Sequence, residues 1–165
     1  MPGRSRTGGG CAGSRRHPSG KGKDQMSKLA ALALAVDKPQ RVEILNPITR
    51  EPMIDDEKRS AYIEVHSPDS EPARKAERKA LDRRMAVRGR TKITSAELEA
   101  ERIGYFAAIT TGWHLVDFQG KAIDVEFSPE TARELYSSGE FAWIRDQVDA
   151  FIGDRANFMK PSPKN

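Results

Sequence analysis

Cysteine is almost absent from this 165-residue chain: Cys11 stands alone, so no disulfide can form within the chain. A small domain without disulfides is typical of a reducing compartment. The three histidines, His17, His66 and His114, lie far apart and have no partners at metal-ligand spacing. The GKGK run at residues 20–23 lacks the spacing of a phosphate-binding loop. We therefore expect neither a metal nor a cofactor.

Long hydrophobic runs are also missing. The longest, LAALALAV at residues 29–36, has eight residues, whereas a membrane helix needs about 20. Basic residues before the run and Ala33-Leu34-Ala35 near its end give it a faint likeness to a signal peptide, at the lower limit of length. The simpler interpretation is a short Ala/Leu helix within residues 26–39 that docks on the core or on a partner.

No constellation of side chains suggests catalysis. Serine, histidine and aspartate are present, but none lies in a context such as the G-x-S-x-G nucleophile turn. The acidic run at residues 55–57 lacks the glycine that a calcium loop requires, so we interpret it as a solvated hairpin loop. We expect a protein that is not an enzyme.

The net charge of +4 is unevenly distributed. Residues 1–25 carry +5, residues 26–73 carry −3, residues 74–92 carry +7 and residues 93–165 carry −5. The basic segment 74–92 could contact phosphates. It has no aromatic residue to stack on bases, so we favour a solvated helix whose arginines pair with the acidic C-terminal half or with a partner.

The organisation along the chain follows from composition. Residues 1–25 are rich in Gly, Ser, Arg and Pro and contain no aliphatic or aromatic core residue, which predicts disorder. Either they form a disordered basic extension, or an upstream start was mis-called and Met26 is the true first residue. Residues 40–159 are expected to form a single domain, and residues 160–165 a flexible tail.

Hydrophobic periodicity predicts the elements of that domain. Alternation predicts strands at 41–45 and 61–65, paired antiparallel. Helices are expected at 71–88, ended by Gly89, and from the Thr94/Glu97 capping box to about residue 109.

The C-terminal third continues in the same way. After a break at Thr111-Gly112 we predict a hairpin of 113–118 and 121–127. A helix then starts after Ser128 and reaches about Tyr136, and a long helix covers 140–158. The predicted fold class is α+β, a small mixed domain with antiparallel β-hairpins and four to five helices. The residues expected to be mostly buried are Trp113, Phe141, Ile144, Val148 and Phe151.

Two stretches carry a resemblance. TTGWHLVDFQGKAIDVEFSPETARELY (110–136) and WIRDQVDAFIGDRANFM (143–159) resemble tail assembly chaperones of long-tailed phages and prophages. The segment 41–70, with NPITREP and AYIEVHSPDS, is similar to the N-terminal strands of such proteins. The resemblance implies a non-catalytic protein of the host bacterial cytoplasm that is absent from the mature virion. It implies binding to the tail tape-measure protein and, as a second possible partner, to the tail tube protein.

Two other functions stay open. The chain could be a structural virion component, such as a tail or connector subunit, or a nucleic-acid-binding protein that uses helix 74–92. Self-association is a further option. As candidate partner-binding residues we take three apolar side chains of the N-terminal segment, three arginines of the basic helix and one tryptophan, namely Leu29, Leu32, Val36, Arg78, Arg83, Arg84 and Trp143.

Overall fold

The computed structural model describes residues 38–86 and 93–159. Several predicted features lie outside these residues. They are the disordered extension 1–25, nearly all of the segment 26–39 with Leu29, Leu32 and Val36, the helix end at Gly89 and the tail 160–165.

The described residues form an α+β domain, as the sequence predicts. Four antiparallel strands lie in sequence order in one sheet: β1 (Gln40–Glu43), β2 (Tyr62–Val65), β3 (Thr110–Val116) and β4 (Ala122–Ile123). Four α-helices accompany them: α1 (Glu71–Ala86), α2 (Ser95–Ile109), α3 (Pro129–Ser137) and α4 (Ala142–Gly153). Two short 3₁₀ turns, Gly139–Phe141 and Arg155–Phe158, flank α4.

The sheet has one buried and one polar face. Strand side chains alternate between faces, so Val42 and its partner Ile63 point into the core. On the opposite face Arg41 pairs with Glu64 at 2.9 Å between Nε and Oε1. The antiparallel pairing of β1 with β2 confirms the sequence prediction.

Two helices begin at the capping residues that the sequence identifies. The Thr94 hydroxyl accepts a hydrogen bond from the Glu97 backbone N–H, and the Glu97 carboxylate accepts one from the Thr94 N–H. Ser128 and Thr131 make the same reciprocal pair at the start of α3, where Pro129 takes the first helical position. Each pair satisfies two backbone donors that a helix start leaves unbonded.

The predicted hairpin differs from the observed one in two ways. First, Thr111-Gly112 is no break: β3 begins at Thr110, directly after α2. Second, β4 has two residues instead of seven. The chain turns away from the ladder because the Val125 N–H donates to the Ile123 carbonyl, while Trp113 Nε1 donates to the Val125 carbonyl at 2.8 Å.

The prediction of one helix over 140–158 is also wrong at both ends. A 3₁₀ turn precedes α4, and α4 ends at Gly153. Asp154 then starts a second 3₁₀ turn, because its carboxylate accepts the Ala156 N–H at 2.9 Å. This turn returns Phe158 to the core, where its side chain is fully buried.

The core lies between the buried sheet face and the helices. Its largest fully buried side chains include Phe106, Tyr136 and Phe158. The Tyr136 hydroxyl shares a hydrogen bond of 2.9 Å with the buried Thr110 hydroxyl. Burial raises the pKa of Tyr136 to about 12, against the opposing effect of that hydrogen bond.

Ile144 and Val148 are buried as predicted. Phe151 and Trp113 are only half-buried. Phe141 is wrongly predicted, because it is 40% exposed. It lies in the 3₁₀ turn before α4 rather than in the helix, which removes it from the stripe of Ile144 and Val148.

Candidate functional site

An apolar groove beside the β3–β4 hairpin is the clearest candidate site. Phe118 is 63% exposed, and Ile123, Val125 and Phe141 are each 40% exposed or more. All four line the same groove, which has a volume of about 390 Å³. Single exposed apolar side chains are ordinary on a protein surface, but several around one depression indicate a binding site.

The groove is built from two walls. Strand β3 contributes Trp113 and Leu115, and the hairpin contributes Phe118 and Ile123. Helix α4 contributes Trp143, whose ring centroid lies 5.8 Å from that of Phe118. The buried side chains of the core close the bottom, so a ligand would meet a continuous apolar surface.

Trp113 is held in place before any ligand arrives. Its Nε1 donates to the Val125 carbonyl, and its ring meets the Phe127 ring edge-to-face at 5.2 Å. The polar atom of the indole is thereby satisfied, and the ring is left to make apolar contacts. Such pre-ordering lowers the entropy cost of binding.

The polar side chains of the groove are few, and two of them are engaged in local turn and cap hydrogen bonds. Among the described residues that line it, Asp117, Thr131 and Glu134 are polar, apart from the indole nitrogens. The Asp117 carboxylate accepts the N–H groups of Gln119 and Lys121, and Thr131 belongs to the α3 cap. Glu134 is exposed at the edge. The arrangement can bury an apolar surface and offer a negative charge at its margin.

The segment 117–141, which contributes much of the groove lining, is acidic. Residues 117–141 contain six acidic side chains and two basic ones. Asp124, Glu126, Glu130 and Glu140 are exposed, as is Glu134. Asp117 and Glu134, the two charged side chains among the described residues that line the groove, are both acidic, although the whole chain is positively charged.

The structure separates the predicted partner-binding residues. Trp143 lies in the groove. Arg78, Arg83 and Arg84 lie on α1 and do not line it: Arg78 pairs with Glu71 of the same helix, and Arg84 pairs with Glu101 of α2. Arg83 lines a different depression, between α1 and α2.

The sequence predicts Phe118, Ile123 and Val125 only as residues of a hairpin and does not identify them as binding residues. The available signal was Phe118 itself, a large apolar side chain next to a predicted tight turn, where small polar residues are the rule.

A buried carboxylate overturns another prediction. The loop 55–57 is not fully solvated, because Asp55 is only 6% exposed. Its carboxylate accepts hydrogen bonds from the backbone N–H groups of Glu57 and Arg59, from Arg59 Nε at 2.8 Å and from His114 Nε2 at 3.0 Å. The carboxylate is fully occupied by these donors and ties the loop to β3, which gives it a structural role.

We expect Asp55 to make the domain sensitive to acid. Burial opposes ionisation of the carboxyl group, but the hydrogen bonds from Arg59 and His114 outweigh it and lower the pKa of Asp55 below its ordinary value of 3.8. A lowered folded-state pKa stabilises the fold above the ordinary value, and this contribution is lost as the pH falls below it. Denaturant unfolding between pH 6 and pH 2 measures this loss. The free energy of unfolding should fall more steeply with decreasing pH for the wild type than for Asp55→Asn.

The exposed neighbour gives the matched control, since Asp56→Asn changes the same group in the same loop. Its acid profile should follow the wild type. Parallel profiles for the wild type and Asp55→Asn would contradict the assigned role of Asp55.

Within residues 38–86 and 93–159, no helix has the length and apolar character to cross a membrane. Comparison with known proteins yields no matching family model, no matching curated protein and no matching solved structure. A function for this chain therefore has to follow from its own residues.

Proposed function

We propose that the chain is a non-enzymatic tail assembly chaperone of a long-tailed phage or prophage. Its groove would hold a segment of the tape-measure protein before the tail tube polymerises around it. The observation that carries this proposal is the apolar groove with its aromatic side chains, above all the exposed Phe118 and the half-buried Trp143. Aromatic side chains in a desolvated depression commonly supply most of the binding free energy at protein interfaces.

The position of the resemblance supports the same proposal. The two stretches that resemble tail assembly chaperones, 110–136 and 143–159, contribute most of the groove, including Trp113, Phe118 and Trp143. The remaining wall residues come from the β1–β2 region, Phe141 and the core. The residues that carry the resemblance are thus the ones that a partner would touch.

Affinity purification from phage-producing cells tests this function. The tagged full-length chain should recover the tape-measure protein, and the tail tube protein is the second expected partner. Purified virions, analysed by quantitative mass spectrometry, should lack the chain.

Two results would contradict the proposal in different ways. Many copies per virion would show a structural tail or connector subunit. Recovery of DNA with a steep dependence on salt, and no tail protein, would favour a nucleic-acid-binding protein acting through α1.

A further inference from the structure

We infer that the segment seated in the groove is an amphipathic α-helix with basic residues beside its apolar face. This inference rests on the proposed function, in which the groove receives a tail protein, and it adds the conformation and the charge of the bound segment.

The helical conformation follows from the scarcity of backbone partners. An extended segment would bring its N–H and C=O groups into an apolar groove, where each unbonded group carries a desolvation cost. The neighbouring strand offers little compensation. After Ile123 the chain leaves the ladder, and the carbonyls of Val125 and Glu126 already accept hydrogen bonds from Trp113 and Thr131.

A helix avoids this cost, because its backbone groups bond to one another. It enters a groove with apolar side chains spaced at i, i+3 or i+4, and i+7. The exposed rings of Phe118 and Phe141 and the indole of Trp143 form a surface that suits such a row of side chains.

The charge of the bound segment follows from the charged side chains that line the groove. Asp117 and Glu134 are the two charged side chains among the described residues that line the groove, and both are acidic. Residues 117–141 as a whole contain six acidic and two basic side chains. Basic side chains flanking the apolar face of a bound helix would be attracted, and acidic ones repelled. The net charge of the whole chain, +4, would favour an acidic peptide. A preference for a basic peptide would therefore indicate binding at the groove.

Three synthetic peptides test the inference on the full-length chain. Each has about 20 residues, enough for some 30 Å of helix. The first has a Leu/Phe face flanked by lysines, the second carries glutamates in place of the lysines, and the third is the lysine peptide with a central proline. Affinities are measured by fluorescence anisotropy at low and at high salt. Groove binding is taken as the part of the signal that Phe118→Gln removes.

We expect the lysine peptide to bind at least about tenfold more tightly than the glutamate peptide at low salt, and the difference to shrink as salt is added. Proline should weaken binding by about tenfold or more, because it breaks the helix. The variant Glu134→Gln should reduce the lysine preference, because Glu134 lines the groove. The matched change Glu77→Gln, at an exposed site on α1, should leave it unchanged.

Equal groove affinity for the lysine and glutamate peptides would overturn the charge assignment, and an unchanged affinity for the proline peptide would overturn the helical one. These failures differ from a failure of the proposed function. If tape-measure protein is recovered from cells but the peptides show no preference, the inference alone fails. If the peptide preference holds but no tail protein is recovered, the proposed function fails.

Discussion

Replacing Phe118 by glutamine is expected to weaken binding of the tape-measure protein by about 30-fold, the equivalent of roughly 2 kcal/mol at an interface hot spot. The substitution removes the most exposed aromatic side chain of the groove and its contact with Trp143. The folded state should barely change, because the Phe118 ring is 63% exposed and loses little buried surface. Affinity for purified tape-measure protein and the midpoint of thermal unfolding are the two measurements.

Leu81→Gln provides the matched control for this variant. Leu81 is 55% exposed on α1, outside the groove, and undergoes a similar loss of apolar surface. Its affinity for the tape-measure protein should equal that of the wild type. An equal loss for both variants would mean that general surface hydrophobicity, and not the groove, determines binding.

Replacing Phe158 by alanine should lower the free energy of unfolding by about 3–5 kcal/mol. The side chain is fully buried, and its ring meets that of Phe151 at 5.6 Å. Alanine would leave a cavity beneath the end of α4 that the surrounding side chains cannot fill. A loss of this size is large against the 5–15 kcal/mol that typically stabilises a whole domain.

Urea unfolding monitored by circular dichroism measures this change. The adjacent residue gives the control, because Met159 is 63% exposed and Met159→Ala should alter the free energy of unfolding by only about 0.5 kcal/mol. A loss of under about 1 kcal/mol for Phe158→Ala would show that the C-terminal 3₁₀ turn does not close the core.

Local signals predicted much of this fold. Thr94 with Glu97, and Ser128 with Pro129, fix two helix starts through contacts within four residues, so the sequence alone identifies them. The alternation of polar and apolar residues likewise predicts the two strands β1 and β2, which pair in the structure.

The sequence-based predictions fail where a residue far away in the sequence determines the local structure. Strand β4 is short because the Trp113 side chain takes the carbonyl of Val125, twelve residues away. Asp55 is buried because His114, 59 residues away, reaches its carboxylate. Neither contact leaves a periodic pattern in the sequence.

The groove is less predictable from the sequence than the fold. Trp143 was identified as a candidate, and it lies in the groove. Phe118 was not, because its exposure depends on how the hairpin sits against α4, and that packing is tertiary. The sequence indicates the arginines as candidate binding residues because they belong to a local run of basic charge. In the structure, Arg78 and Arg84 form ion pairs within the domain.

Site-specific photo-crosslinking in phage-producing cells tests the groove most directly. A photoreactive phenylalanine analogue replaces Phe118 in one strain and Leu81, on α1, in another. Position 118 should form a crosslink to the tape-measure protein, within a basic amphipathic helix, and position 81 should not. Crosslinks to that protein or to DNA from position 81, with none from position 118, would contradict the groove as the functional site.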